Sequence, residues 1–417
     1  MSDVIVTAEL SSKLRILLQA LVLIKLPFVL YRLPEGRPHL LVLTSGTCQS
    51  LTSWEQLDAA SGFVLAPFAL TERYPLVLWP QEHCVHACGY DEITHSLMQL
   101  TKTNALYQEG VDKAASALPI STAEGKLTEG DVTIEHAPKE QYSRDFAAFM
   151  TPLRAQRYQK LVLSARFAHH SPRCYVWDNF QRACAVKPQL MVALVQAPQV
   201  GTWFVATPEV LLRTSPRSEV QQPLQVHTMS LAGTMPYNED NLLLEAWSAK
   251  DRHEQAYVTS YLTELLGQYD SFATQGPYPI KAGQVVHLRT DLTCEVPAQK
   301  GLGQLISALH PTPAVCGLPK ADAQSFIQSH ESGERSYYSG FLGEINCASD
   351  RGVRSNLFVH LRTIEFLALE DCWGPWRFRS YVGGGLLAES ELDSEYAEIC
   401  AKNRSVLSNL VPKLWMP

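Results

Sequence analysis

The sequence predicts a mixed α/β protein, either one large unit with two halves or two to three domains, on three observations. The chain has 417 residues, 46% of them apolar and 18% charged, which at about 100 to 200 residues per domain is ample for a large buried core. Residues 26–78 alternate short apolar runs with turn residues, the pattern of strands in an antiparallel or mixed sheet. Two later segments, 240–269 and 393–410, place side chains at the three- and four-residue spacings of helices. These ordinary globular values exclude a disordered, collagen-like or coiled-coil protein.

Charge narrows the function classes. Thirty-five basic against 42 acidic residues give a formal charge of -7. The basic residues form no run longer than a pair, so non-specific nucleic-acid binding, which needs a concentrated cationic surface, is not expected. The apolar stretch 16–24 contains Gln19 and ends at Lys25 and Pro27, short of the roughly 20 residues that span a bilayer. Asp3 and Glu9 do not suit the positive start of a signal peptide. A cytoplasmic protein with no membrane partner is expected, and its ten cysteines read as reduced thiols.

In chain order, 28–31, 40–43 and 63–68 read as strands. His83, Cys84, His86 and Cys88 are soft donors crowded into six residues. Zinc sites draw pairs from separated segments, so a turn or strand end is the better reading, as it is for His169, His170 and Cys174. Residues 109–141, rich in Glu, Lys, Gly, Ser and Thr, form a soft boundary between 1–140 and 141–417. Beyond it, 161–167 and 203–212 read as strands, and Gly301-x-Gly303 lacks the third glycine of a dinucleotide fingerprint.

The helix at 240–269 aligns Trp247, Lys250 or Asp251, Glu254, Tyr257 or Val258, Tyr261 and Leu265 on one face. A carboxylate in that stripe is costly to bury. Glu254 is therefore either paired or coordinating, or it sits at the stripe's edge bridged to Lys250. The helix at 393–410, with Ser390 or Asp393 as N-cap, carries Glu398 and Lys402 four apart, an ordinary surface pair on its own. It follows Val382-Gly-Gly-Gly-Leu386, where glycines let backbone and ligand approach closely.

Lys160-Leu-Val-Leu-Ser164, Ala206-Thr-Pro-Glu209, Leu231-Ala-Gly-Thr234, Lys250-Asp-Arg-His-Glu254, His287-Leu288, His310-Pro-Thr-Pro-Ala314, Glu331 with Arg335 and Gly340, Leu361-Arg362, Gly383 to Gly385, and Glu398 with Lys402 follow one another in this order. In these stretches, across about 145–405, the chain resembles the chorismate-utilising enzymes, and among them the isochorismate synthases. The first 140 residues match only diffusely. The resemblance implies one α/β unit of the α+β type, with two large antiparallel sheets facing each other, helices outside and the site between the sheets.

It also implies Mg2+, held by Glu254 and Glu398, and chorismate as the small-molecule partner of a monomer or homodimer. Magnesium's preference for oxygen ligands suits carboxylates. By motif position, Gly233, Thr234, His310, Arg362, Gly383 and Lys402 bind substrate, Lys160 is the general base that activates water for attack at C2, and Glu209 is the general acid on the departing C4 hydroxyl. A raised carboxyl pKa from burial is what Glu209 would need. Ala232 stands where aminodeoxychorismate synthases carry lysine, and Lys160 where anthranilate synthases do not, so a water-using enzyme of menaquinone or catechol siderophore synthesis is implied. A salicylate synthase and a non-catalytic chorismate binder are the alternatives. Departures from the family pattern are the register of Arg166, Gln255 for histidine, Cys294 for glycine, Cys316 for a small residue and Gly384 for alanine.

Overall fold

The computed structural model describes residues 2–44, 47–116, 132–171, 176–219, 222–282, 285–367 and 376–408. Helix α1 (Ser2–Leu23) leads into β1 (Phe28–Arg32), β2 (Pro38–Leu43), β3 (Gln49–Leu51), β4 (Gly62–Ala66), β5 (Leu76–Pro80), β6 (Cys84–Cys88), α2 (Tyr90–Thr103) and α3 (Ala105–Ser116). Next come β7 (Thr133–His136), α4 (Lys139–Arg154), β8 (Lys160–Ser171), α5 (Val176–Val186), β9 (Met191–Ala197), β10 (Gly201–Thr207), β11 (Val210–Thr214) and β12 (Leu224–Pro236). The last third holds α6 (Ala249–Leu266), β13 (Asp270–Ala282), β14 (Val285–Val296), α7 (Leu302–Leu309), β15 (Gly317–Leu318), α8 (Lys320–His330), β16 (Phe341–Ser349), β17 (Gly352–Val359), β18 (Thr363–Leu367), β19 (Trp376–Leu386) and α9 (Leu392–Leu407).

Among the described residues the strands form two sheets, ordered β15-β8-β19-β18-β10-β9-β1-β2-β6 with β7 beside β8, and β13-β14-β12-β11-β17-β16-β4-β5-β3. Neighbouring strands run antiparallel, as β1 does with β9 and β4 with β16. Residues before 140 thus supply strands to both sheets. Their apolar runs are continuous because both faces are buried, and the two-residue alternation of a strand sorts them. Val29 and Tyr31 face one core while Phe28 and Leu30 face another.

The core shared by the two sheets takes Val195, Val205 and Tyr381 from the first sheet and Phe63, Leu231 and Phe358 from the second. Outside the first sheet pack α1 through Leu17, α5 through Phe180 and α9 through Ile399; outside the second pack α6 through Val258 and α7 through Leu305. The layers are therefore helix, sheet, sheet, helix, as the resemblance implied.

Several expectations need correction. The stretch 203–212 is two strands in different sheets, because Pro208 lacks an N–H for the ladder and the chain crosses at Pro208-Glu209. Helix α6 begins only at Ala249, where Ser248 accepts from the Asp251 amide, and two short 3-10 turns precede it. Its buried stripe is Gln255, Val258, Leu262 and Leu266, one residue round from the expected face. The N-cap of α9 is Glu391, not Ser390 or Asp393.

His83 ends a 3-10 turn and Cys84, His86 and Cys88 lie on β6. There His86 Nε2 is 3.2 Å from His39 Nδ1 and Cys88 Sγ is 3.7 Å from His39 Nε2. His169 is buried against Phe378 and bonded to Ser380, while Cys174, and 117–131 of the expected boundary, lie outside the described residues. Among the described residues no helix is long and apolar enough to cross a membrane.

Candidate active site

Strand parity aims the site's side chains. On β8, Leu161, Leu163 and Ala165 belong to the outer core, so Lys160 and Val162 face the other sheet. On β19, Gly383 and Gly385 pair with Ser164 and Val162 and share that inner face. Glu209 enters from the crossing between β10 and β11. A cavity there is walled by Glu209, Gly233, Thr234, Glu254, Arg362, Gly383 and Lys402, seven of the expected residues.

Glu209 is 2% exposed. Burial pushes its carboxyl up to about 8, against the opposing pull of Lys160 and Arg362, so near neutral pH it holds a proton it can donate. Lys160 is fully buried, just behind the wall, with Nζ 2.9 Å from Glu254 Oε1. The approach misses hydrogen-bond alignment, leaving Nζ without a well-formed partner. Glu254 is held below the usual carboxylate range: burial opposes this, and Lys160 and then Lys402 and Lys250 outweigh it. Gly385 makes the pairing possible, since a Cβ there would stand 2.1 Å from Glu254 Oε1 and 2.8 Å from Lys160 Cε.

Facing these groups, Arg362 Nη2 donates to His287 Nε2 at 2.7 Å. Because arginine only donates, His287 carries its proton on Nδ1, which reaches the Gly233 carbonyl at 3.0 Å. Burial, then Arg362, push His287 down to about 3, so it stays neutral. Arg362 is lowered to about 10 by burial and remains a cation. Gly233 sits at φ +72 in a bulge between Ala232 and Thr234. Gln255, in the place of the usual histidine, braces that bulge by accepting from the Ala232 amide at 2.9 Å and donating to Ser230 Oγ at 2.8 Å. Lys402 Nζ donates to the Gly383 carbonyl at 2.9 Å and pairs with Glu398 Oε1 at 2.6 Å.

Two expected residues are placed elsewhere. His310 does not line the cavity; its Nε2 bonds the Pro67 carbonyl at 2.9 Å and its ring packs on Phe341 and Trp54. The neighbours Ala314 and Val315 take the wall instead. Glu398, a third exposed, stands behind Lys402. Glu254 pairs with Lys160, not with Lys250, whose partner is Glu395.

Sequence reasoning gave no role to His287, Tyr338 or Tyr381, which all line the cavity. Tyr381 was within reach, since it precedes Gly383 by two and so shares its face. The Glu331–Arg335 pair, joined at 2.7 and 2.8 Å, ties β8 to the 310–316 loop through Arg335 bonds to the Val162 and Val315 carbonyls.

For a divalent cation the donor chemistry fits: Glu254 on α6 and Glu398 on α9 offer hard oxygens beside the cavity, and magnesium typically takes one or two carboxylates and leaves the other positions to water and substrate. Among the described residues, no three His, Cys, Asp or Glu side chains are grouped closely enough to hold an ion by themselves.

The chain is 28% identical over 284 residues to the salicylate biosynthesis isochorismate synthase of Pseudomonas aeruginosa, covering 66% of this chain and 55% of that one. To isochorismate synthase DhbC of Bacillus subtilis it is 32% identical over 241 residues, 52% of this chain and 57% of that one. It thus spans little more than half the length of these relatives. The fold is that of MenF, the menaquinone-specific isochorismate synthase of Escherichia coli, with a TM-score of 0.65 at 18% identity over 92% of this chain and 88% of that one. A family model described as chorismate binding enzyme matches residues 49–408, which take in strands of both sheets and every wall of the cavity, and the chain belongs to that family.

Proposed function

We propose that the protein is an isochorismate synthase, converting chorismate to isochorismate. The observation that carries this is a fully buried lysine and a buried carboxyl at one cavity: Lys160 on β8, just behind the wall, and Glu209, pushed up to about 8 by burial, at the crossing between the sheets. Arg362 and Lys402 hold the substrate's two carboxylates, which a planar guanidinium fork and an ammonium suit. His287 aims the guanidinium by taking one of its N–H groups. Water attacks C2 and gives its proton to Lys160, the ring double bonds shift, and the C4 hydroxyl leaves as water with the proton of Glu209. One water enters and one departs.

Lys160 must be uncovered for this, so Glu254 turns away from it in the working enzyme. In this proposal Glu254 and Glu398 hold magnesium, which supplies positive charge for the ring carboxylate. The cytoplasmic setting, and the supply of menaquinone or catechol siderophore synthesis, belong to the same proposal.

The test is product analysis. Purified protein with chorismate and magnesium should accumulate isochorismate with no pyruvate released. Salicylate plus pyruvate would make it a salicylate synthase, and tight chorismate binding without turnover a non-catalytic relative.

A further inference from the structure

The chain crosses between the sheets at two neighbouring places. One crossing, after β10, carries Glu209; the other joins β17 to β18 through His360, Leu361 and Arg362. Two backbone bonds tie them together, from the Val359 amide to the Glu209 carbonyl at 2.9 Å and from the Ala206 amide to the Arg362 carbonyl at 3.4 Å. Arg362 sits there at φ 53, a left-handed conformation that a residue with a side chain keeps only where its surroundings enforce it. His360, two residues earlier, is fully buried. Its Nδ1 lies 2.8 Å from the Tyr337 carbonyl and its Nε2 2.9 Å from Thr363 Oγ1. A carbonyl only accepts, so Nδ1 carries the hydrogen of the ring. Burial pushes His360 down to about 4. Near neutral pH Nε2 is therefore bare and accepts from the Thr363 hydroxyl, whose one hydrogen also faces the Phe204 carbonyl at 2.9 Å. The His360 backbone holds the adjoining turn as well, taking the Ser339 amide at 3.0 Å and donating to the Gly340 carbonyl at 2.8 Å.

We propose that His360 is a positioning residue for substrate binding, locking through Thr363 the turn that aims Arg362. This rests on the reading of Arg362 above as a holder of a chorismate carboxylate. The His360–Thr363 bond spans Leu361 and Arg362 and closes a short ring around the left-handed residue. On its other side the imidazole is anchored to the Tyr337 carbonyl, next to Tyr338 of the cavity wall. The tip of Arg362 is pinned separately, by His287 and by Ser405 Oγ at 3.3 Å. Without the ring, the backbone under Arg362 relaxes toward an ordinary φ, and its guanidinium meets the carboxylate in a poorer geometry. A planar fork depends on orientation as well as charge, so binding is what suffers. Neither His360 nor Thr363 lines the cavity, and each acts through Arg362.

The test is steady-state chorismate consumption by the full chain with magnesium, with kcat and KM read for each variant. Arg362→Ala should raise KM strongly. Thr363→Val, which removes one hydroxyl, and His360→Leu, which removes both ring bonds, should each raise KM about fivefold or more with kcat within about twofold, the mark of lost uniform binding. Thr363→Ser keeps the hydroxyl and should stay near wild type. A packing defect alone would lower the active fraction, and so kcat, and leave KM unchanged. In the Arg362→Ala background Thr363→Val should add nothing to KM, because its effect passes through Arg362. A wild-type KM in Thr363→Val, or the same rise on top of Arg362→Ala, overturns the inference and leaves the carboxylate role of Arg362 standing. Thr363→Ser as impaired as Thr363→Val would also overturn it, because the hydroxyl would not be the cause. Should His360→Leu fail to fold, the Thr363 variants decide alone. Arg362→Ala with a wild-type KM, or a wild type that consumes no chorismate, overturns both.

Discussion

Replacing Gly385 by alanine adds one methyl group at the point where the base meets its partner. The new Cβ would stand 2.1 Å from Glu254 Oε1 and 2.8 Å from Lys160 Cε, whereas ordinary contact begins at 3.4 Å. Glu254 must therefore retreat by about 1.3 Å and Lys160 by about 0.6 Å. Both atoms end flexible side chains, so the fold survives: overpacking costs about 1–3 kcal/mol, and an alanine replacing glycine within a strand returns about 0.5–1 kcal/mol. Catalysis is less forgiving. A displacement of about 1 Å in a reacting group can cost about 10²-fold, or about 2.7 kcal/mol of barrier.

Gly385→Ala should then show a normal circular-dichroism spectrum, a modest drop in melting temperature and about 10²-fold lower kcat for isochorismate formation. Gly384→Ala is the control, because its Cβ would meet nothing nearer than 3.7 Å; it should keep kcat close to wild type. A folded Gly385→Ala variant with near-normal kcat would refute the claim that the placement of Lys160 and Glu254 beside Gly385 matters to catalysis.

Lys160→Ala and Glu209→Gln should each cut turnover by about 10²-fold or more, and the double variant should lose little beyond either, because both serve one displacement. Glu209 works protonated, so kcat should fall as pH rises through about 8, and Glu209→Gln should lack that alkaline limb in a pH profile. His287 and His310 are pushed down to about 3, His169 and His360 to about 4, each chiefly by burial. Below about 6.5 the unfolded chain binds protons that these folded rings refuse, so stability should fall as pH drops from about 6.5 toward 4 in denaturant titrations, and a flat profile would count against their burial. Excess chelator should abolish turnover and added magnesium restore it, with Glu254→Gln and Glu398→Gln each raising the requirement; full activity in chelator would remove the ion from the mechanism.

How much of this was legible in the sequence depended on whether the signal was local. Strands such as 28–31 and 40–43 were readable because apolar runs and turn residues are local, and Glu209, Glu254, Arg362 and Lys402 because each sits in a short motif. The division of 203–212 between two sheets hinged on Pro208, whose missing N–H marked a break that the apolar run concealed. The stripe of α6 was misplaced by one residue because Gln255, a polar side chain, is buried by bonds to Ala232 and Ser230 that no periodicity displays. His310 was misassigned for a similar reason: its partner is the Pro67 carbonyl, 243 residues away in sequence. The pairing of Lys250 with Glu395 rather than Glu254 is another long-range choice, made where two helices meet.

The central claim is that water, activated by Lys160, attacks C2 while the C4 hydroxyl leaves, and running the reaction in ¹⁸O-enriched water tests it most directly. With brief incubation, to limit the back reaction, mass spectrometry should find one ¹⁸O atom in each newly formed isochorismate, located at C2, and Lys160→Ala should form almost none. Isochorismate that carries no label would mean that the hydroxyl migrates within the substrate, and the assignment of Lys160 as the base for water would be wrong.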